Sequence, residues 1–167
     1  PDSGSIMLDD RLLETNLYNL KNFIGYIPQE TFLIEGTILQ NIIFTLEKNF
    51  DYDKNRLANA IRWSKLDNFL NKLQFGINSS VSERGSNLSG GQQQRISIAR
   101  ALYRDPKILI LDESTNSLDE ETEREIMDDI RELKKEKSII IISHRKSSLK
   151  NCDHIYEIKD KNLNKIK

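Results

Sequence analysis

Two uninterrupted apolar runs mark the second half of the chain, at residues 108–111 and 139–142. Both runs predict strands, and the run at 108–111 is typical of a strand buried on both faces of a parallel sheet. Between them, Ile126, Ile130 and Leu133 recur at helical spacing, with acids before them and lysines after, as the helix dipole favours. A helix that links two such strands predicts a β-α-β crossover and therefore a parallel pair of strands.

The first half of the chain carries a weaker pattern, in which short strands give way to helices. Residues 6–9 and 23–27, which are mainly apolar, predict two short strands. Residues 31–87 are helical in character, because Asp53 is placed to cap a helix whose apolar positions begin at Leu57. We therefore expect a helical subdomain between two parts of an α/β core.

A loop and a further helix follow that subdomain. Residues 78–89 are rich in Ser, Asn and Gly, which predicts a loop. The loop leads into a helix with a predicted buried stripe of Ile96, Ala99 and Leu102. The polar tail from residue 159 is expected to fray.

Composition fits one domain with a hydrophobic core: 167 residues, 37% hydrophobic and 31% charged. A net charge of -1 gives no general attraction to nucleic acid or to anionic lipid. Cys152 is the single cysteine, so the chain can form neither an internal disulfide nor a cysteine metal site, which fits a reducing compartment. Because the apolar runs are too short to cross a bilayer, we expect any membrane part to lie outside this chain.

Candidate chemistry lies in two neighbouring segments. At residues 88–92 the sequence LSGGQ predicts a helix start, where Gly90 and Gly91 leave backbone N–H groups open to an anion and the helix dipole adds positive charge. Phosphate is the anion that fits best. About twenty residues later the apolar run ends in Asp112 and Glu113, at the edge where open α/β sheets bind ligands. One acid would bind a metal ion, and the other would activate water.

These segments, with others around them, resemble the nucleotide-binding domain of ATP-binding cassette (ABC) proteins. LSGGQ is similar to that family's signature motif, and ILILDE at 108–113 resembles its Walker B strand with the catalytic glutamate. SLD at 117–119 resembles the D-loop, IIIISHR at 139–145 the strand and switch histidine, and YIPQE at 26–30 the Q-loop. The five motifs occur in the family's order, and the resemblance extends from residue 1 to about residue 161.

One motif of that family does not occur in this sequence. The Walker A loop has the pattern G-x-x-x-x-G-K-[ST], and none of the seven glycines is followed by lysine. The opening residues resemble the family segment that follows the Walker A helix, so we expect a domain cut at its front. The resemblance implies an α/β fold: a P-loop NTPase-like core, in which helices flank a parallel sheet, with an inserted helical subdomain and without its N-terminal strands. The expected parts are core strands to the Q-loop (1–30), the helical subdomain (31–87), the remaining core (88–160) and a tail (161–167).

The resemblance implies ATP hydrolysis, with Mg²⁺, at the interface of two such domains arranged head to tail. Asp112 would bind Mg²⁺, and Glu113 would deprotonate the attacking water. Gln29 would sense the metal or the γ-phosphate, and His144 would stabilise the transferring phosphoryl group. The residues that would act across the interface are Ser89, Gly90, Gly91 and Gln92, at the partner's nucleotide, and Asp119, at the same seam.

Transport is the use that the resemblance implies. VSERG at 81–85 resembles an exporter-type loop, with Ser82 where the family usually has glycine, and residues 32–42 resemble the exporter stretch after the Q-loop. Both would face the transmembrane domains of an ABC transporter. We therefore expect a location on the cytoplasmic face of the cell (inner) membrane, with no nucleic acid as partner.

Simpler interpretations stand beside these. Ser89 and the glycines can form an ordinary capped helix start, His144 can be structural, and Gln29 can cap a turn. The chain could also be a non-catalytic module that completes a partner's ATP site, or a soluble ABC ATPase. In this family the strand at 139–142 lies beside the Walker A strand, so we expect it to be an exposed apolar edge here.

Overall fold

The computed structural model of the chain describes residues 3–5, 7–8, 11–12, 23–150 and 152–167. Its strands are β1 Met7–Leu8, β2 Arg11–Leu12, β3 Ile24–Ile27, β4 Gly36–Thr37, β5 Ser80–Val81, β6 Ile108–Asp112, β7 Ser138–Ile142, β8 Tyr156–Lys159 and β9 Asn162–Lys165. Its α-helices are α1 Ile38–Ile43, α2 Lys54–Trp63, α3 Asp67–Leu70, α4 Gly90–Tyr103, α5 Glu120–Glu132 and α6 Lys146–Leu149. Short 3-10 turns lie at Gly76–Asn78, Glu83–Gly85 and Leu133–Lys135. Of the strand predicted at 6–9, Ile6 and Asp9 lie outside the described residues.

A parallel three-stranded sheet forms the centre of the described part, in the order β3-β6-β7. Ile24 pairs with Ile108, and Leu109 pairs with Ile139. Helix α5 joins β6 to β7, which confirms the predicted β-α-β unit and its parallel pair. Because parallel strands end at the same edge, the residues after β3, β6 and β7 meet there.

Strand β6 is not buried on both faces, so that prediction is wrong. Leu109 and Leu111 are buried, whereas Ile108, Ile110 and Asp112 are only half-buried. Successive side chains of a strand point to opposite faces, so a single face of β6 meets the main core. An apolar run alone could not distinguish full burial from burial on one face.

Strand β7 has one hydrogen-bonded neighbour among the described strands, which agrees with the expected edge. Ile140 is 49% exposed and Ile142 is 47% exposed. Ile139 and Ile141 pack partly against the core. One face of this edge strand therefore exposes apolar side chains, and the other face packs against the core.

The region 31–87 contains the expected helices and one unexpected pairing. The Asp53 carboxylate accepts hydrogen bonds from the N–H groups of Asn55 and Arg56, at 2.9 and 3.0 Å, as a cap of α2. Strands β4 and β5 form a two-residue antiparallel ladder, so residues 78–89 are not a loop throughout. Two residues per strand are too few to show a periodic pattern. The pairing also joins segments that are far apart in the sequence, so the sequence did not predict it.

The buried side chains of α4 include the predicted Ile96, Ala99 and Leu102. Burial extends to Ser97, Ile98 and Ala101, because α1, α2 and β3 pack around the helix. The buried surface of α4 is therefore wider than the predicted stripe. The helix is a central element of the described part.

Arg100 joins α4 to the stretch 32–42. Its Nε donates to the carbonyl of Asn41, and its Nη1 donates to the carbonyl of Phe32, both at 2.8 Å. Burial lowers the pKa of Arg100 to about 10. The buried Asn41 side chain in turn bonds the backbone of Ile34, at 2.9 Å to both its N–H and its carbonyl. The stretch after the predicted Q-loop is thus fixed to the helix that begins at the signature motif.

The tail forms an antiparallel hairpin of β8 and β9, so the prediction that it frays is wrong. Its two-residue turn places Asp160 and Lys161 at positive φ, 51° and 63°, which suits a tight hairpin turn. The sequence lacks the usual Asn-Gly signal there, and this is why the hairpin was missed. In the described ranges, no helix has the length and apolar character needed to cross a membrane.

Candidate functional site

The chemical groups gather where β6 and β7 end. Asp112 is the last residue of β6, Glu113 follows it, and His144 lies two residues beyond the end of β7. The N–H of Glu113 donates to the carbonyl of Ile142 at 2.9 Å, which ties the two strand ends together. His144 Nδ1 lies 3.3 Å from Glu113 Oε1. The structure therefore brings together these two residues, predicted from separate motifs.

Glu113 has a left-handed backbone conformation, with φ +46°. This region costs a non-glycine residue on the order of 1–3 kcal/mol and is concentrated at functional sites. Its carboxylate also accepts a hydrogen bond from Asn116 Nδ2 at 2.8 Å. The acid is thus held by its backbone and by both carboxylate oxygens, while its side chain remains 31% exposed.

Asp112 is half-buried and has a partner that the sequence analysis missed. The Tyr26 hydroxyl donates to Asp112 Oδ2 at 2.7 Å, and this hydrogen bond raises the pKa of Tyr26 above its usual value. Tyr26 pairs with Ile110, two residues before Asp112, so both side chains share one face of the sheet. Strand register would have been needed to find this pair.

Ser89 caps α4 in a reciprocal capping box with Gln92. The N–H of Gln92 donates to Ser89 Oγ at 3.3 Å, and the N–H of Ser89 donates to Gln92 Oε1 at 2.9 Å. The Gln92 side chain is thus engaged within its own chain. Gly90 and Gly91 have no acceptor for their N–H groups within the helix, because these belong to its first turn. Ser89 and Gly90 are exposed, so this helix start faces outward.

The two glycines also have a packing role. A Cβ added to Gly91 would lie 2.8 Å from Thr122 Cγ2, and one added to Gly90 would lie 3.2 Å from Leu118 Cδ2. Both neighbours belong to the segment that begins α5. The start of α4 therefore rests closely on the start of α5 in the same chain.

Asp119 is the N-cap of α5. Its Oδ1 accepts a hydrogen bond from the N–H of Thr122 at 3.0 Å. Hydrogen bonds from Thr122 lower the pKa of Asp119. Asp119 thus has a structural role within its own chain, as a helix cap. Its contact with a partner domain stays a prediction.

Gln29 is exposed and lines a cleft of about 470 Å³ beside the start of α4. Gly90, Asn116 and Ser117 line the same cleft. Among the described residues, no hydrogen bond joins Gln29 to Asp112. The structure thus places Gln29 near the signature motif and near Asn116, the neighbour of the Glu113 carboxylate.

A divalent cation would find few protein ligands here. Within the described ranges, no group of three or more His, Cys, Asp and Glu residues could hold a metal ion. Magnesium usually takes only one or two carboxylates, together with water and phosphate oxygens. The half-buried Asp112 carboxylate fits that donor set.

Comparison with known proteins gives a consistent result. Residues 1–116 match the ABC transporter family. The chain is 39% identical over 160 residues to an ATP-dependent lipid A-core flippase of Vibrio parahaemolyticus, covering 95% of this chain and 27% of that protein. It is 42% identical over 159 residues to the ATP-dependent permease MDL1 of Candida albicans, covering 93% of this chain and 23% of that protein. The chain thus spans about a quarter of the length of these relatives.

A solved structure agrees with the sequence relatives. A bacterial Atm1-family ABC exporter with ATP bound superposes with a TM-score of 0.81 at 30% identity, over 96% of this chain and 28% of the exporter chain. The predicted α/β fold, with its parallel sheet and flanking helices, is confirmed.

Proposed function

This chain belongs to the ABC transporter family, and we propose that it supplies most of an ATP-binding and hydrolysing domain that powers export or flipping of a substrate across a membrane. The observation that carries the proposal is the contact of Glu113 with His144 at the carboxyl end of β6, 3.3 Å apart. The relatives, named as a flippase, a permease and an exporter, support transport over a soluble function.

Glu113 acts as the general base for the attacking water in this proposal. Its carboxylate is held by Asn116 and His144, yet remains accessible. His144 is 67% exposed and can stabilise negative charge on the transferring phosphoryl group. Asp112 would bind Mg²⁺, and the bound ion would neutralise phosphate charge. Gln29 would sense the metal or the γ-phosphate.

The signature motif serves a different nucleotide. Ser89 and Gly90 face outward, so the N–H groups of the first turn of α4 are available to an anion presented by another molecule. We assign Ser89, Gly90, Gly91 and Gln92 to the nucleotide of a second such domain, arranged head to tail, and Asp119 to the same seam. The transmembrane domains of an ABC transporter complete the assembly at the cytoplasmic face of the membrane.

A second candidate function is a non-catalytic module that completes a partner's ATP site. The outward-facing signature motif favours it. On either account the 167-residue chain alone should not bind ATP with micromolar affinity, because its sequence has no G-x-x-x-x-G-K-[ST] pattern to wrap the phosphates. Fluorescent ATP titration measures this, and micromolar binding would contradict the proposal.

Substitution of the proposed base tests the catalytic account. With this chain joined to a Walker A segment, Glu113→Gln should retain ATP binding and lower turnover roughly a hundredfold or more, because an amide cannot accept the proton. The matched control is Glu136→Gln, at an exposed glutamate beyond the end of α5, which should hydrolyse ATP normally. Full turnover in Glu113→Gln would remove this residue from its role.

A further inference from the structure

A buried carboxylate lies behind the proposed catalytic groups. Glu123 on α5 is 3% exposed, and an unpaired charge at such depth would be strongly unfavourable. Arg145 Nη1 donates to Glu123 Oε2, and the Ser148 hydroxyl donates to Oε1. Although burial alone would raise the pKa of Glu123, these hydrogen bonds outweigh it and lower the pKa. Glu123 is thus an ionised anchor for the loop that follows β7.

The guanidinium of Arg145 also contacts a second segment. Its Nη2 donates to the backbone carbonyl of Asn116 at 2.7 Å. Neutralising Glu123 requires only one arm of the guanidinium, so this second contact has no part in charge compensation. It connects the loop after β7 to the segment between Glu113 and Asp119.

Both connected segments carry a group of the proposed mechanism. His144 immediately precedes Arg145, and the side chain of Asn116 donates to the Glu113 carboxylate at 2.8 Å. Within the described structure, Asn116 Oδ1 is buried and has no hydrogen-bond partner. The amide is therefore not oriented by its oxygen. The backbone of Asn116 is held on one side by its own N–H, which donates to the Glu113 carbonyl at 3.1 Å, and on the other by the contact of its carbonyl with Arg145. Of these two contacts, only the one with Arg145 reaches the loop that carries His144.

We propose that Arg145, anchored by Glu123, is a positioning residue that holds His144 and Glu113 in register by fixing the backbone of Asn116. The inference rests on the proposed function for its catalytic consequence, but the connection between the two segments can be measured without nucleotide. In this proposal Arg145 itself contacts neither ATP nor the attacking water.

The lysine substitution separates positioning from charge compensation. A lysine in place of Arg145 would still neutralise Glu123, but a single ammonium group lacks the planar fork that reaches both Glu123 and the Asn116 carbonyl. We therefore compare Arg145→Lys with Arg145→Gln in the full chain. The matched control is Arg56→Gln, at an exposed arginine that pairs with Asp53 at 3.6 Å.

Hydrogen–deuterium exchange, at one protein concentration for all variants, reads the connection directly. Arg145→Lys should retain a urea midpoint near that of the unsubstituted chain, while the amides of residues 114–118 exchange roughly tenfold faster, because a charge-assisted hydrogen bond is lost. Arg145→Gln should show the same faster exchange and a lower urea midpoint. Arg56→Gln should leave exchange in this segment unchanged. If Arg145→Gln fails to fold, Arg145→Lys decides alone.

ATP turnover, with the chain joined to a Walker A segment, measures the effect of this connection on catalysis. Arg145→Lys should lower kcat roughly tenfold and leave KM for ATP within about twofold, because the lysine variant disturbs the register of the base and not nucleotide binding. Protected amides at 114–118 together with normal kcat in Arg145→Lys would overturn the inference. Loss of the proposed function appears separately, as full turnover in Glu113→Gln, and the exchange result then still decides whether Arg145 connects the two segments.

Discussion

Glu113 combines an uncommon backbone conformation with contacts from three directions. Its φ is +46°, its N–H donates to the carbonyl of Ile142, and its carboxylate oxygens are held by Asn116 and His144. Such a residue is fixed before any substrate arrives, which is what general-base catalysis requires of a carboxylate. The preceding Asp112 is held differently, by the hydroxyl of Tyr26.

Acid should lower the free energy of unfolding of the chain by protonating Glu123. Because the folded-state pKa of this carboxyl is lowered, its stabilisation is present above the ordinary glutamate pKa of about 4.3 and is lost as pH falls below it. Glu123→Gln should therefore reduce the free energy of unfolding by about 3 kcal/mol near pH 7, and by less as pH falls through 4. Urea denaturation at a series of pH values measures the difference.

The control for that series is Glu121→Gln, at an exposed residue of the same helix. It should change the free energy of unfolding by less than about 1 kcal/mol. A Glu123→Gln effect that stays constant from neutral pH down to pH 3 would contradict the assignment of an ionised, buried carboxylate.

The residue types that carry the proposed chemistry are visible in the sequence, but their partners are not. Asp112, Glu113 and His144 follow apolar runs, and this position at strand ends predicts their common edge. Tyr26 and Asn116 have no such signal, because their contacts depend on strand register and on the turn after Glu113. Which residues form hydrogen bonds with these side chains depends on the three-dimensional geometry, which a single sequence does not show.

Helices α4 and α5 meet at their N-terminal ends, and this contact explains part of the signature motif. The start of α4 packs closely against Leu118 and Thr122. A Cβ at Gly91 would clash with Thr122 Cγ2, whereas one at Gly90 would make a tight contact with Leu118 Cδ2. Each helix start is also capped by the residue just before it, Ser89 for α4 and Asp119 for α5. Gly91 therefore has a role in packing as well as in the proposed approach of an anion.

Gly91→Ala should destabilise the chain by about 1–3 kcal/mol, although alanine favours helices by about 1 kcal/mol, because the new Cβ would lie 2.8 Å from Thr122 Cγ2. Thermal denaturation measures the effect. Thr122→Ser removes that methyl group, so the double variant should recover most of the loss. If Gly91→Ala is more stable than the unsubstituted chain, the close contact does not exist.

Long elements were predictable and short ladders were not. The β6-α5-β7 unit has strong periodic signals, and the caps at Asp53 and Ser89 follow from residue type. The β4–β5 pair and the β8–β9 hairpin contain two to four residues per strand, which is too few for a period. Their pairing depends on contacts between segments and on turn conformation.

At the scale of the whole molecule, β7 and the hairpin are among the places where the described residues expose large apolar side chains. Ile140 and Ile142 are about half-exposed on the edge strand, and Ile158 and Leu163 are 78% and 66% exposed across the hairpin. Unpaired edges with apolar side chains promote association between chains. The edge position of β7 was predicted only through the family resemblance, and the place of β3 beside β6 was not predicted, because local sequence patterns do not specify strand order.

The isolated 167-residue chain should therefore self-associate or have low stability. Sedimentation velocity over a range of concentrations should show species larger than a monomer, and Ile140→Lys should shift the distribution toward monomer, because a charge on an edge strand opposes pairing. Arg56→Lys, at an exposed helix position, should leave the distribution unchanged. A monodisperse monomer that melts above about 65 °C would contradict this prediction.

The central claim is that the signature motif and the acids of one chain belong to two different ATP sites, and mixed dimers test it most directly. Copies joined to a Walker A segment would carry either Glu113→Gln or Ser89→Arg, and each variant alone should be nearly inactive. Mixing equal amounts should restore about one quarter of full ATP hydrolysis, because half of the dimers are mixed and each mixed dimer retains one intact site. If mixing restores no hydrolysis, although the two variants form mixed dimers, both groups serve the same site and the account is wrong.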